Sequence, residues 1–143
     1  MQRRVFVRKC GMGCLGVFAS SLLLSGCAGT RYISGNIEGS FLTISEDTFL
    51  NTNKGYFKHV VVQNGALQYP IIVFRLDSNN YRALLMRCTH QGTELQVFGD
   101  RLQCPAHGSE FTKIGNVQNG PADTPLRSFP VYKEIKTLKI DLS

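Results

Sequence analysis

Two short stretches, Cys88-Thr89-His90-Gln91-Gly92 and Cys104-Pro105-Ala106-His107-Gly108-Ser109, constrain this chain more than any other feature of it. Each brings one thiol and one imidazole, at C-x-H and C-x-x-H spacing, with thirteen residues between His90 and Cys104. Four soft or borderline ligands on two short loops make a metal site, and the choice lies between zinc and iron–sulfur. Zinc modules more often open with C-x₂₋₄-C knuckles, whose spacing lets two sulfurs reach one ion. A C-x-H step is tight for a single tetrahedral ion. Two metal atoms suit it better, because the Cys and His of one loop can then go to different ones.

The surrounding pattern is that of an all-β domain. At 43% hydrophobic and 18% charged residues the composition is that of an ordinary globular protein, and from Phe41 on short apolar runs alternate with turn signals. Residues 56–63 are rich in β-branched and aromatic side chains and meet 66–77 across Asn64-Gly65, a strong hairpin signal. Pro70 marks an edge or bend in the second of these strands. Ser78-Asn79-Asn80 turns into 81–87, whose Ala83, Leu84, Leu85 and Met86 form a buried run leading into the first ligand loop. Residues 95–98 and 101–103 flank Gly99-Asp100, so a small hairpin joins the two loops and sets Cys88 and His90 beside Cys104 and His107. Residues 128–133 and 137–142 form a closing pair. No helix longer than two turns and no repeat is expected.

The two stretches resemble the Rieske [2Fe-2S] family, in which two His replace two Cys on one iron. A third segment, Gly120-Pro121-Ala122-Asp123-Thr124-Pro125-Leu126, is similar to the family's proline loop over the cluster, and the three occur in the family's order. The resemblance implies an antiparallel β sandwich or barrel over residues 41–143, with a small rubredoxin-like subdomain carrying two ligand loops. It assigns Cys88 and Cys104 to one iron of a [2Fe-2S] cluster and His90 and His107 to the other, with the histidines facing solvent and Ser109 donating its hydroxyl to a bridging sulfide. Quinol-oxidising members carry a disulfide between the loops, at the places of Thr93 and Ala106, and a Tyr donor at the place of Phe111. Gln91 stands where those members have an apolar contact. One donor fewer lowers the expected potential.

The implied function is one-electron transfer to a redox protein partner. The first alternative is a subunit of a larger quinol–cytochrome or molybdenum oxidoreductase, and the second a zinc-stabilised interaction module. A carrier or subunit is expected here, not a stand-alone enzyme, since the length leaves no domain for the mononuclear iron of a Rieske oxygenase. His59, alone in a Val-rich strand, is read as structural.

Residues 1–26 read as an export signal. Arg3, Arg4, Arg8 and Lys9 precede an uncharged run with its apolar centre at 15–24, and Leu24-Ser25-Gly26-Cys27 resembles the bacterial lipobox, with cleavage before a diacylated Cys27. Cys10 to Thr30 is free of charge, long enough to span a membrane, but five glycines and three serines argue against an uncleaved helix. Arg3-Arg4-Val5-Phe6-Val7-Arg8 resembles the twin-arginine signal, which exports folded proteins with their cofactors in place. Residues 27–40, small and polar, read as a flexible tether between lipid and domain. The expected location is a membrane facing the periplasm or cell exterior. Beyond the first nine residues 12 basic residues face 10 acidic ones, so the formal charge of +6 gives no ground for a nucleic-acid partner.

Overall fold

The computed structural model describes residues 29–53 and 55–143. The expected export signal with Arg3 and Arg4, and the lipid-bearing Cys27, lie outside the described residues. In chain order the strands are β1 Tyr32–Ser34, β2 Asn36–Glu38, β3 Phe41–Ser45, β4 Leu50–Asn51, β5 Gly55–Tyr56, β6 His59–Gln63, β7 Ile71–Arg75, β8 Tyr81–Leu85, β9 Gln96–Phe98, β10 Arg101–Gln103, β11 Glu110–Thr112, β12 Val117–Asn119, β13 Ser128–Phe129, β14 Val131–Glu134 and β15 Thr137–Asp141. A 3-10 turn at Glu46–Phe49 interrupts them. The described residues are nearly all-β, as expected.

The strands form a five-stranded sheet, β1-β6-β7-β8-β13, two four-stranded sheets, β14-β15-β3-β2 and β12-β11-β10-β9, and the pair β4-β5. Among the described residues pairing is antiparallel except between β1 and β6. The five-stranded sheet is covered on both faces. Val60, Val62, Ile71, Val73 and Ala83 pack with Leu42, Ile44, Leu138 and Ile140 of the β14-β15-β3-β2 sheet. Val61, Ile72, Phe74 and Leu84, from alternate positions, pack with Met86 just past β8 and with Leu102 and Phe111 of the third layer. Side chains of a strand alternate between faces, so a strand covered on both sides must be apolar throughout. That is why 60–62 and 71–74 are unbroken runs and do not alternate.

Three expectations are corrected. The tether does not extend over 27–40: residues 32–34 and 36–38 are β1 and β2, built into two different sheets. Gly35 between them is buried, and a Cβ there would lie 2.7 Å from both Leu42 Cδ1 and Val62 Cγ1. It is the point where the chain crosses from one layer to the next, and only a hydrogen fits. The hairpin of β6 and β7 forms, but does not close on Asn64-Gly65. The Asn64 side chain accepts the Ala66 N–H at 2.9 Å and donates to the Gly35 carbonyl at 2.9 Å, and β7 starts only after Pro70. The closing pair is split at Pro130. β13 pairs with β8 and β14 with β15, so residues 128–133 serve two sheets on either side of a residue that has no N–H to donate.

The hairpin between the ligand loops is as expected, with Phe98 opposite Arg101 and Gln96 opposite Gln103. Its open end, opposite the Gly99-Asp100 turn, carries both ligand loops.

Candidate metal centre

The two ligand loops share one backbone plan. The Cys88 N–H donates to the Thr93 carbonyl at 2.8 Å and the Gly92 N–H to the Cys88 carbonyl at 2.8 Å; the Cys104 N–H donates to Ser109 at 2.8 Å and the Gly108 N–H to Cys104 at 3.0 Å. Gly92 and Gly108 occupy the same place in each loop with φ of 78° and 79°, a left-handed turn that favours a residue without Cβ. Arg87 opposite Glu94 closes the first loop at its base, and Gln103 opposite Glu110 the second. Histidine is third in one loop and fourth in the other, so the loops are alike in backbone and offset in ligand.

This plan sorts the donors by depth. Cys88 and Cys104 are free thiols, 1% and 2% exposed, and belong to the apolar cluster of Met86, Leu95, Leu102 and Phe111. His90 and His107 are exposed, their rings 5.0 Å apart and nearly perpendicular. Burial pushes the Cys104 thiol up, but the N–H groups of Ala106 and His107 and the side chains of Cys88 and Thr93 outweigh it, and the group is held below its usual value. The thiolate, which a lowered pKa favours, is the form that binds metal. Among the described residues no three His, Cys, Asp or Glu side chains gather on one ion position. The thiols instead meet each other in the interior, and the imidazoles meet each other at the surface. Two sulfur and two nitrogen donors in separate pairs fit a [2Fe-2S] cluster with one iron of each kind better than a single tetrahedral ion.

The proline loop clamps both ligand loops. The Thr89 hydroxyl donates to the Thr124 carbonyl at 2.7 Å, and the Ala122 N–H donates to the Ser109 hydroxyl oxygen at 3.0 Å. Ala122 and Leu126 are buried in the cluster that holds the two cysteines, and the Leu126 N–H reaches the Gly115 carbonyl at 2.9 Å. The Gly120-Pro121 peptide is cis. Ser109 is wholly buried. Because its oxygen accepts from Ala122, its own proton is left to be donated elsewhere. Neither the Thr89 clamp nor Thr93 beside the Cys104 sulfur was foreseen from the sequence; the one signal was that each loop ends on a hydroxyl residue. His59 is remote from these residues in the pairing, opposite Phe74, with its ring 5.6 Å from that ring. Burial, helped by Lys58, holds its pKa below the usual value.

The model of the Rieske [2Fe-2S] domain family matches residues 50–130, a span that includes both ligand loops and the proline loop. Among curated proteins none matches the sequence. Many solved structures resemble it, among them the following three. The plasma membrane Rieske protein PetC3 from Synechocystis PCC 6803 is 23% identical, with a TM-score of 0.51 over 59% of this chain and 86% of that one. A chain of the complex of reduced oxygenase and oxidised ferredoxin in carbazole 1,9a-dioxygenase is 20% identical, with a TM-score of 0.55 over 73% of this chain and 95% of that one. Naphthalene 1,2-dioxygenase is 18% identical, with a TM-score of 0.56 over 72% of this chain and 26% of that one. At these identities the likeness is one of fold. With more than half its length matched by the family model, the chain belongs to the Rieske [2Fe-2S] family, whose domain binds a [2Fe-2S] cluster and serves electron transfer.

Proposed function

We propose that the protein is a one-electron carrier anchored to a membrane and facing the periplasm or cell exterior, with Cys88 and Cys104 holding one iron and His90 and His107 the other. The observation that carries the ligand assignment is the sorting by depth: paired thiols in the apolar interior and paired imidazoles at the surface. When bound, the cluster supplies one-electron chemistry, at potentials of roughly −150 to +300 mV across Rieske centres. The chain's own residues set the conditions. Phe111, Leu102 and Met86 keep water from the thiolates, the loop N–H groups of Ala106 and His107 support the Cys104 sulfur, and the exposed imidazoles give a short path to a partner. Phe111 offers no hydroxyl where quinol-oxidising relatives have one, so the potential lies below theirs.

Optical and EPR spectra of the purified and the dithionite-reduced protein, with metal and sulfide analysis, test this. The expected result is two irons and two sulfides per chain with an EPR signal that appears on reduction. A colourless protein with one zinc overturns it. Attachment rests on the lipobox-like end at Cys27 and is supported by the location of PetC3, a plasma membrane Rieske protein. Cys27→Ala is expected to release the protein from membranes. Arg3→Lys with Arg4→Lys is expected to leave the holoprotein in the cytoplasm, and normal export of that variant excludes the twin-arginine route.

A further inference from the structure

We propose that the end of the domain opposite the histidines rests on the lipid surface, with Leu50, Tyr56 and Phe98 as its apolar contacts and Arg31 and Lys58 as its basic ones. This rests on the reading of Cys27 as the lipid-bearing residue.

Two independent features fix which end the chain enters. In the five-stranded sheet Tyr32 is level with Val61, Val61 with Ile72 and Ile72 with Leu84. β1, β6 and β8 run the same way, and β8 runs toward Cys88, so going back from Tyr32 to Gly29 leads away from the ligand loops. Leu84 is four residues short of Cys88 and Gly29 three short of Tyr32, which at ~3.3 Å per residue separates Gly29 from the level of Cys88 by about 23 Å. Separately, Gly29 and Thr30 line a cleft together with Tyr56, His59, Gly99 and Asp100. Gly99-Asp100 is the turn of the β9–β10 hairpin, whose opposite end carries both ligand loops.

That end is built like an interfacial surface. Leu50 and Tyr56 face each other across the β4-β5 pair, 46% and 50% exposed, and Phe98, which leads into the Gly99-Asp100 turn, is 49% exposed. The Arg31 guanidinium lies 5.2 Å from the centre of the Phe57 ring and reaches the Leu50 carbonyl at 3.5 Å. Half-exposed aromatic and aliphatic side chains beside basic ones suit the boundary between acyl chains and anionic headgroups. There is little slack. Arg31 is already held by the Val61 N–H at 2.8 Å, and Cys27 stands two residues before Gly29, at most ~7 Å of extended chain. Acyl chains on Cys27 therefore draw this end against the bilayer. His90 and His107 then point into water from the far end of the domain, and the redox partner docks from the aqueous side.

The test uses the full-length, lipidated holoprotein in vesicles of phosphatidylcholine and phosphatidylglycerol containing headgroup-nitroxide lipid. A fluorescent amino acid is placed at Asp100 or, in a second protein, at Asp123 of the proline loop, with Asn53 as an alternative position in the same cleft. Each labelled protein is first checked for the parent's EPR spectrum. The probe at Asp100 or Asn53 is expected to be quenched several-fold more strongly than the probe at Asp123. Equal quenching, or stronger quenching at Asp123, overturns the proposed orientation while leaving the anchor intact. Mass spectrometry showing no lipid on Cys27 overturns the anchor reading and the proposal with it.

Discussion

The Ser109 hydroxyl is wholly buried, and its oxygen already accepts the Ala122 N–H at 3.0 Å. Its proton is therefore left for another acceptor, in the proposed reading a sulfide of the cluster, while its lone pair holds the proline loop in place. Ser109→Ala removes both at once. A net hydrogen bond is worth about 1 kcal/mol, or about 40 mV for one electron, so the midpoint potential is expected to fall by about that much in an EPR-monitored titration. The Ala122 N–H is left without its partner, and unfolding in urea is expected to show about 1–3 kcal/mol of lost stability. Thr93 lies beside the Cys104 sulfur. Thr93→Val, close in shape, is expected to lower the potential in the same direction, with the same titration as the check.

Gly35 shows what an element can ask of one residue. Glycines and serines over 28–40 look like a linker by composition, yet Gly35 sits where β1 hands over to β2, pressed between Leu42 and Val62. Its lack of a side chain serves close packing and not flexibility. Gly35→Ala is expected to destabilise the protein by about 1–3 kcal/mol in urea unfolding, as overpacking of a filled core does. Gly29→Ala is the control: a Cβ there meets nothing within 4 Å, and its effect is expected to stay within about 0.5 kcal/mol. The strands β6 and β7 make the same point from the other side. Their unbroken apolar runs are required because one face meets the β14-β15-β3-β2 sheet and the other the metal-binding layer.

Across the whole molecule, a polar staple ties together parts distant in sequence, on a patch separate from the ligand loops. Glu46, in the 3-10 turn, accepts from Lys133 of β14 at 2.7 Å and from the Tyr81 hydroxyl at the start of β8 at 2.9 Å, and Lys133 also donates to the Ser78 carbonyl at 2.9 Å. The Lys133 hydrogen bond, then that of Tyr81, holds the Glu46 carboxyl below its usual value, and Glu46 in turn raises Lys133. A lowered carboxyl contributes stability that is present above its ordinary value and lost as pH falls through the folded one. A raised lysine contributes stability that is present below its ordinary value and lost as pH rises past the folded one. The staple therefore works through the neutral range. Glu46→Gln is expected to melt below the parent at neutral pH, and the gap to close as pH falls below about 4; thermal melts over pH 3 to 7 read it directly.

The sequence by itself determined the candidate ligands, the order of the three site segments and the all-β class. Ligand chemistry and turn signals are local, and Cys88, His90, Cys104, His107 and Gly99-Asp100 carry them within a few residues of chain. Only the tertiary structure decided that 32–38 belongs to two sheets, that Pro130 divides its strand between layers, and that Ala122 and Thr124 reach back to Ser109 and Thr89. Each of those depends on what lies across a packed interface, and two segments far apart in sequence leave no mark in either one that says they will meet.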